Sequence, residues 1–291
     1  MKAILLCLFF AVAGACYASN NDQPDTTQTV LRFAVLGDAE PKPAPLFPNL
    51  AAAVADINKL TQQHKIDFVA GIGDIAHKGA LIQYENVTPL LQQLTMPFYP
   101  IMGNEEHGST VDRFMHYANS WNRGKITLSA PSYVLEFNDV ALVFASPDHG
   151  RDFNDSGIAW IMQQITQLQP KPVLLLVHSA QTGVYPENAE KGIRHQGFSN
   201  VLALSNLAAV ISGDLHMDMD RVTHSKQLEG VHYLHIPALE RTKIPDETRH
   251  TAMFRVFSLQ SDGLMQVDTY QTGVRQPLAR HAYQFSLSAA R

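Results

Sequence analysis

Cysteine is almost missing from this 291-residue chain: there are two, Cys7 and Cys16, both within the N-terminal segment. Everything after Cys16 therefore lacks a disulfide framework, a cysteine nucleophile and a thiolate metal site. Basic clusters are scarce too. Lys and Arg number 22 against 27 Asp and Glu, a formal charge of −5, and no Lys/Arg block reads as a polyanion patch. Nucleic acid is not an expected partner. Beyond the N-terminal segment no run approaches the roughly 18 apolar residues of a membrane-spanning helix. Gly (17) and Pro (16) are near average, which excludes a fibrous repeat and argues against a disordered chain. Histidine is in excess, with 13 residues, and their positions carry more than their number.

The N-terminus reads as a secretory signal. Lys2 supplies a short basic region, Ala3 to Ala15 is apolar, and Cys16-Tyr17-Ala18 puts small residues before Ser19. The expected organisation is a signal peptide over 1–18, a polar flexible leader over 19–29 and one domain over 30–291. Export to the periplasm or to the outside follows. Ala13-Gly14-Ala15-Cys16 also resembles a lipoprotein box, which makes a lipid anchor at Cys16 the alternative.

Val30 to Leu36, Asp67 to Ile72 and Phe98 to Met102 are short, nearly continuous apolar runs, the pattern of strands buried on both faces. Helical spacing over Asn49 to Gln63 and a helix around Leu81 to Leu94 separate them, which implies a parallel or mixed sheet covered by helices. Tyr133 to Phe137 and Val140 to Phe144 read as a hairpin about Asn138-Asp139. A helix near Ile158 to Leu168 and strands at Val173 to Val177 and Leu207 to Ile211 follow. Gly230 to Ile236, Ala252 to Ser258 and Leu264 to Tyr270 predict an antiparallel second sheet.

One event recurs five times: an apolar strand stops and a metal-capable side chain follows at once. The sites are Gly37-Asp38-Ala39-Glu40, Gly73-Asp74, Gly103-Asn104-Glu105-Glu106-His107, Val177-His178 and Gly213-Asp214-Leu215-His216. A strand-end Gly-Asp alone is more often a turn, and a lone histidine more often a structural core residue. Five in one chain point to a shared rim, because ligands of open α/β sheets collect beyond the carboxyl ends of the strands. Glycine before the ligand is expected to let the backbone turn sharply.

In this order the motifs resemble the calcineurin-like metallophosphoesterase family, whose pattern is Asp-x-His, Gly-Asp, Gly-Asn-His-Asp/Glu, a lone His, and Gly-His-x-His. The resemblance runs from about Leu31 to Tyr270. It implies an α/β fold (an α+β sandwich) of two facing mixed β-sheets flanked by helices in four layers. It also implies a hydrolase of small phosphomonoesters or phosphodiesters that works with two divalent metal ions. Carried over by position, Asp38, Glu40 and His216 bind one ion, Asn104, His178 and Asp214 the other, and Asp74 bridges them; Asn104 also touches substrate. Two ions about 3.5–4 Å apart clamp a phosphate and stabilise the leaving oxygen.

Three positions depart from that pattern. Glu40 and Asp214 stand where the family has histidine, which brings the bare centre close to neutral and weakens its pull on a phosphate dianion. The added oxygen donors favour Mn, Mg, Ca or Fe over Zn. Glu105 replaces the histidine that steadies phosphate. Crowding among carboxylates is expected to raise its pKa, so Glu105 and His107 are the catalytic candidates, with His77 a second source of the missing imidazole. In the loop from Val184 to Phe198, Lys191, Arg194 and His195 are the expected substrate contacts, with Tyr185 beside them. Asn86-Val87-Thr88 and Asn154-Asp155-Ser156 are glycosylation sequons only in a eukaryotic source. The alternative function is a non-catalytic metal- or phosphate-binding module on a degenerate form of the same fold.

Overall fold

Strands that are apolar on both faces need cover on both sides, and this chain supplies helices outside and a second sheet inside. The computed structural model describes residues 27–42, 44–241 and 250–287. The expected signal peptide, Cys7, Cys16 and the leader up to residue 26 lie outside the described residues. Strands β1 (Thr29–Leu36), β2 (Phe68–Gly71) and β3 (Phe98–Pro100) pair in parallel, joined through helices α1 (Pro48–Gln63) and α2 (Leu81–Leu91). Along β1, Phe33 and Val35 enter the core between the sheets, while Ala34 and Leu36 pack with Leu50, Val54 and Ile57 of α1. Phe33 lies stacked between Phe68 and Phe257, with ring centroids 4.9 Å apart on either side.

The second sheet runs β4-β5-β6-β7-β9-β8. Its strands are β4 (Tyr133–Glu136), β5 (Ala141–Ala145), β6 (Val173–Val177), β7 (Leu207–Ser212), β8 (Ser225–Leu228) and β9 (Val231–His235). Its inward residues, including Leu142, Phe144, Leu174 and Leu176, complete the shared core. Its outer face packs on α4 (Asp155–Gln167) through Ile158, Ile161 and Ile165, and on α5 (Phe198–Leu202). The two facing mixed sheets with flanking helices are the architecture that the motif order implied.

Two expectations need correction. The C-terminal strands do not form the second sheet. Only β9 joins it, parallel to β7, whereas β10 (Met253–Gln260) pairs antiparallel with β1 and is followed outward by β11 (Leu264–Gln271) and β12 (Tyr283–Ser286). The reason is burial: β10 covers the edge of β1 that β2 leaves bare, and carries Phe257 into the stack on Phe33. The helix expected to reach Leu94 ends at Leu91. A further helix, α3 (Val111–Trp121), buries Phe114, Ala118 and Trp121 on one face and is capped by Thr110, which accepts from the Arg113 N–H. No described helix is long and apolar enough to cross a membrane.

Candidate metal centre

The loops after the strands are held in an unusual backbone state. Asp38 (φ 44°), Asp74 (φ 51°), Asp214 (φ 66°) and His216 (φ 51°) all lie in the left-handed region, which non-glycine residues rarely occupy and which costs about 1–3 kcal/mol each. The bend is thus made by the ligand-type residues themselves, not by every glycine before them as expected. Of those glycines, Gly73 alone turns, at φ 90°. Gly103 and Gly213 are needed for close approach instead. A Cβ on Gly103 would lie 2.3 Å from Asp74 Oδ1 and 2.8 Å from His178 Cε1, and one on Gly213 would lie 2.8 Å from Asp38 Oδ2.

The rim brings the expected ligand residues together from both sheets. Among the described residues, three groups have donor atoms within 4.8 Å of one another: Asp38, Asp74 and His216; Asp74, His178 and Asp214; and Glu40, Asp74 and Glu105. Asp74 belongs to all three. Asn104 joins through Oδ1, 3.3 Å from His178 Nε2. Both histidines are oriented by backbone carbonyls: His178 Nδ1 lies 2.9 Å from Ile72 O, and His216 Nδ1 lies 3.2 Å from Arg241 O. That arrangement directs each Nε2 into the carboxylates, with His216 Nε2 at 3.8 Å from Asp38 and 3.6 Å from Glu40.

Cations flank the carboxylates. Lys42 Nζ lies 3.2 Å from both Glu40 and Glu105, and Arg241 Nη2 is 3.5 Å from Glu40. Arg151 Nε is 2.7 Å from each Asp214 oxygen, and Lys191 Nζ is 3.2 Å from Oδ1. Lys191, an expected substrate contact, is brought to the rim beside Asp214. Arg194 and His195 are not brought in: Arg194 donates to Glu190 O, and His195 Nε2 lies 3.1 Å from Asp155. Lys42, Arg151 and Arg241 had no role from sequence. Arg151 and Arg241 lie in the loops after β5 and β9, six residues past the strand ends, so a rule that looks for a metal-capable side chain directly after the strand passes over them.

The third motif also differs from expectation. Glu105 accepts from the Lys78 N–H at 2.8 Å and lies 2.7 Å from His77 Nδ1. Burial pushes its pKa up, but Lys78, Lys42 and His77 outweigh that and hold it below the ordinary value; the expected rise is reversed. His107 turns away, its Nε2 3.0 Å from Pro147 O, whereas His77 sits among Glu105 and Glu40 at 2.7 and 3.9 Å. Glu106 has an unexpected part. Fully buried, it accepts from the N–H groups of Asp74, Ile75, Ala76 and Gly103 at 2.7–2.9 Å and so ties the β2 and β3 loops together.

Burial lifts Asp38 and Asp74 above the ordinary carboxylate range and Glu40 to about 7. Asp214 goes the other way: burial raises it, but His178, Lys191 and Arg151 hold it well below. Burial disfavours a charged His178, yet Asp74, Asp214 and Asp38 outweigh that and lift it to about 10. A metal entering at His178 Nε2 would displace that proton.

Residues 31–218, more than half of the chain, match the family model described as calcineurin-like phosphoesterase. The chain belongs to that family. A dimetal phosphatase from Danio rerio has 12% identity and a TM-score of 0.65, over 90% of this chain and 100% of that one. Purple acid phosphatase PPD1 from yellow lupin (Lupinus luteus) has 13% identity and a TM-score of 0.64, over 89% of this chain and 54% of the lupin enzyme. GAP50, described as the anchor in the inner membrane complex of Plasmodium, has 11% identity and a TM-score of 0.61, over 91% and 90%. At these identities the likeness shows a common fold. No curated protein sequence matches the chain.

The calcineurin-like fold implies a dimetal centre, and the donors on one side of Asp74 fit an ion. Both Glu40 oxygens are buried and accept no hydrogen bond among the described residues. Lys42 and Arg241 pair with Glu40 as charges but leave its oxygens without a hydrogen bond. His216 Nε2 lies 3.6 Å from Glu40, and His216, Asp38 and Asp74 group their donor atoms within 4.8 Å of one another, so an ion there would give Glu40 the direct contact it lacks.

Proposed function

We propose that the protein is an exported metal-dependent phosphoesterase acting on a small phosphomonoester or phosphodiester. The observation that carries the reading is Asp74, a buried carboxylate common to three groups of donor atoms at the rim of a calcineurin-like fold. Bound divalent ions supply Lewis-acid polarisation of the phosphoryl oxygens and activation of water. The protein's own part is positional. Glu106 fixes the loops that carry Asp74 and Gly103, and Ile72 O and Arg241 O aim His178 and His216. Lys42, Arg151, Lys191 and Arg241 restore the positive charge that Glu40 and Asp214 remove, and hold phosphate oxygens. His77, beside Glu105 at 2.7 Å and Glu40 at 3.9 Å, stands in for the family's imidazole in place of His107, whose Nε2 is engaged by Pro147 O. The metals favoured by so many oxygen donors are Mn, Mg, Ca or Fe. Export rests on the N-terminal segment alone.

A second reading, a binding module without turnover, is favoured by Glu105: an ionised carboxylate held by Lys42 and His77 stands where the family carries an imidazole. The two part in one experiment. Protein purified from the exported fraction, its N-terminus read by mass spectrometry, is assayed on aryl phosphate mono- and diesters with Mn, Mg, Ca, Fe or Zn. Hydrolysis with an oxygen-preferring metal, lost on addition of chelator and reduced tenfold or more in His77→Gln, is the expected result. Metal binding without hydrolysis of any ester leaves the module reading. An unprocessed N-terminus removes the claim of export.

A further inference from the structure

Glu40 and Asp214, the two carboxylates that stand where the family pattern has histidine in its metal-binding motifs, are held in different ways. Each has two cations beside it, Lys42 and Arg241 at Glu40 and Arg151 and Lys191 at Asp214. Their hydrogen bonding differs. Neither Glu40 oxygen accepts a hydrogen bond among the described residues: Lys42 at 3.2 Å and Arg241 at 3.5 Å pair with it as charges, without hydrogen-bond geometry. Asp214 accepts from Arg151 Nε on both oxygens at 2.7 Å, from Lys191 Nζ on Oδ1 at 3.2 Å and from the Ser179 hydroxyl on Oδ2. An ionised carboxylate offers about four acceptor positions, and three donor groups, one of them the Arg151 Nε–H shared between both oxygens, occupy the two oxygens of Asp214. Lys191 also donates to the Asp214 carbonyl at 3.0 Å, so the ammonium is fastened twice.

We propose that the centre binds one divalent ion tightly, on the side of Asp38, Glu40, Asp74 and His216, and that Arg151 and Lys191 take the place of the second. The ligand set on the other side does not fit an ion. Asp214 is engaged by side-chain donors on both oxygens, and what remains is Asn104, His178 and one oxygen of the shared Asp74. A guanidinium and an ammonium together carry the charge of one dication and present N–H donors to phosphate oxygens. Asp214 takes Arg151 through Nε, which leaves the terminal amino groups for an incoming anion. Asp214 thereby becomes a positioning residue: it holds two cations at a fixed spot instead of one metal. The replacement of histidine by aspartate and the arrival of Arg151 and Lys191 are then a single change in the chemistry of the site. This inference rests on reading the rim as a phosphate centre, but it concerns the number of ions and is tested apart from turnover.

The test is the stoichiometry and spin coupling of Mn(II). Full-length mature protein is stripped with chelator, titrated with Mn(II) by calorimetry and examined by electron paramagnetic resonance. One equivalent with an uncoupled six-line spectrum is expected for the wild type. Arg151→Met/Lys191→Met and, separately, Asp214→His are expected to take a second equivalent and to show a spin-coupled pair; circular dichroism checks that each is folded. Two equivalents and a coupled pair in the wild type would overturn this inference and leave the metal-dependent esterase intact. No Mn(II) bound by the wild type would overturn both. One equivalent in the wild type and still one in every folded variant would show that Arg151 and Lys191 are not what keeps the second ion out. Should the double variant not fold, Asp214→His and the wild-type stoichiometry decide the matter.

Discussion

Gly103 has room for a hydrogen and nothing more. A methyl group there would meet Asp74 Oδ1, the Asp74 N–H and the His178 ring, so Gly103→Ala forces the β2 and β3 loops apart at the carboxylate shared by the three donor groups of the described residues. The expected result is Mn(II) affinity weaker by tenfold or more, equivalent to about 1.4 kcal/mol, with about 1–3 kcal/mol of stability lost to overpacking. Calorimetric titration and urea unfolding measure the two; an unchanged affinity would show that the loops yield without moving Asp74. At this scale the ligand-type residues were legible because each is announced by an apolar run that stops at it, as at Leu36-Gly37-Asp38. Lys42, Arg151 and Arg241 were not. A lone basic residue in a loop looks the same whether it faces a buried carboxylate or water, and only the folded loops bring Arg151 to Asp214 across 63 positions of chain. Glu106 was hidden for another reason: its partners are backbone N–H groups, which leave no mark in the sequence.

The loop after β5, which carries Arg151, is pinned to the loop after β6, which carries Lys191. Asp152 makes the connection, accepting from the Arg194 and His195 N–H groups at 3.1 and 3.2 Å and from the Phe153 N–H at 2.9 Å. Asp152→Ala removes three acceptor contacts, one of them local to its own loop. At about 0.5–1.5 kcal/mol net for each hydrogen bond, a loss of about 1–3 kcal/mol in urea unfolding is expected, with faster proteolysis between residues 181 and 197. Protease patterns identical to wild type would show that the two loops are held independently. Elements themselves were read well where their apolar periodicity is local, as in α1 and the β4–β5 hairpin. Sheet membership was not legible. The partner of β10 is β1, and the Phe257–Phe33 stack that selects it spans more than two hundred residues of chain. Helix α3 was missed because its buried face rests on three residues among polar neighbours.

Across the whole molecule, buried ionisable groups set opposing pH dependences. His235, fully buried near Arg255, has its pKa pushed down to about 3, first by burial and then by that guanidinium. Unfolded, it titrates near 6.5, so its contribution to stability is complete above that value and is lost as the pH falls, by up to about 1.4 kcal/mol per pH unit. Glu40 and Glu106, raised to about 7 chiefly by burial, act in the other direction: their contribution is complete below about 4.5 and is lost as the pH rises through 7. The difference between proteins isolates the histidine. With chelator present throughout, His235→Phe is expected to lose less stability than wild type between pH 6.5 and 4 in urea unfolding. Parallel curves would show that His235 is protonated as readily folded as unfolded. The four-layer plan could be inferred from motif order, but this charge balance could not, because it depends on which of the 13 histidines end up dry. The placing of the rim has a mechanical meaning as well. Its donors come from loops of both sheets, Asp38 and Asp74 from one and His178 and Asp214 from the other, above a seam closed by packed apolar side chains and crossed at the rim by the bonds from His178 Nδ1 to Ile72 O and from the Asp214 N–H to Asp38. A ligand shared by loops of both sheets would therefore act on the docking of one sheet against the other, and not on one loop alone.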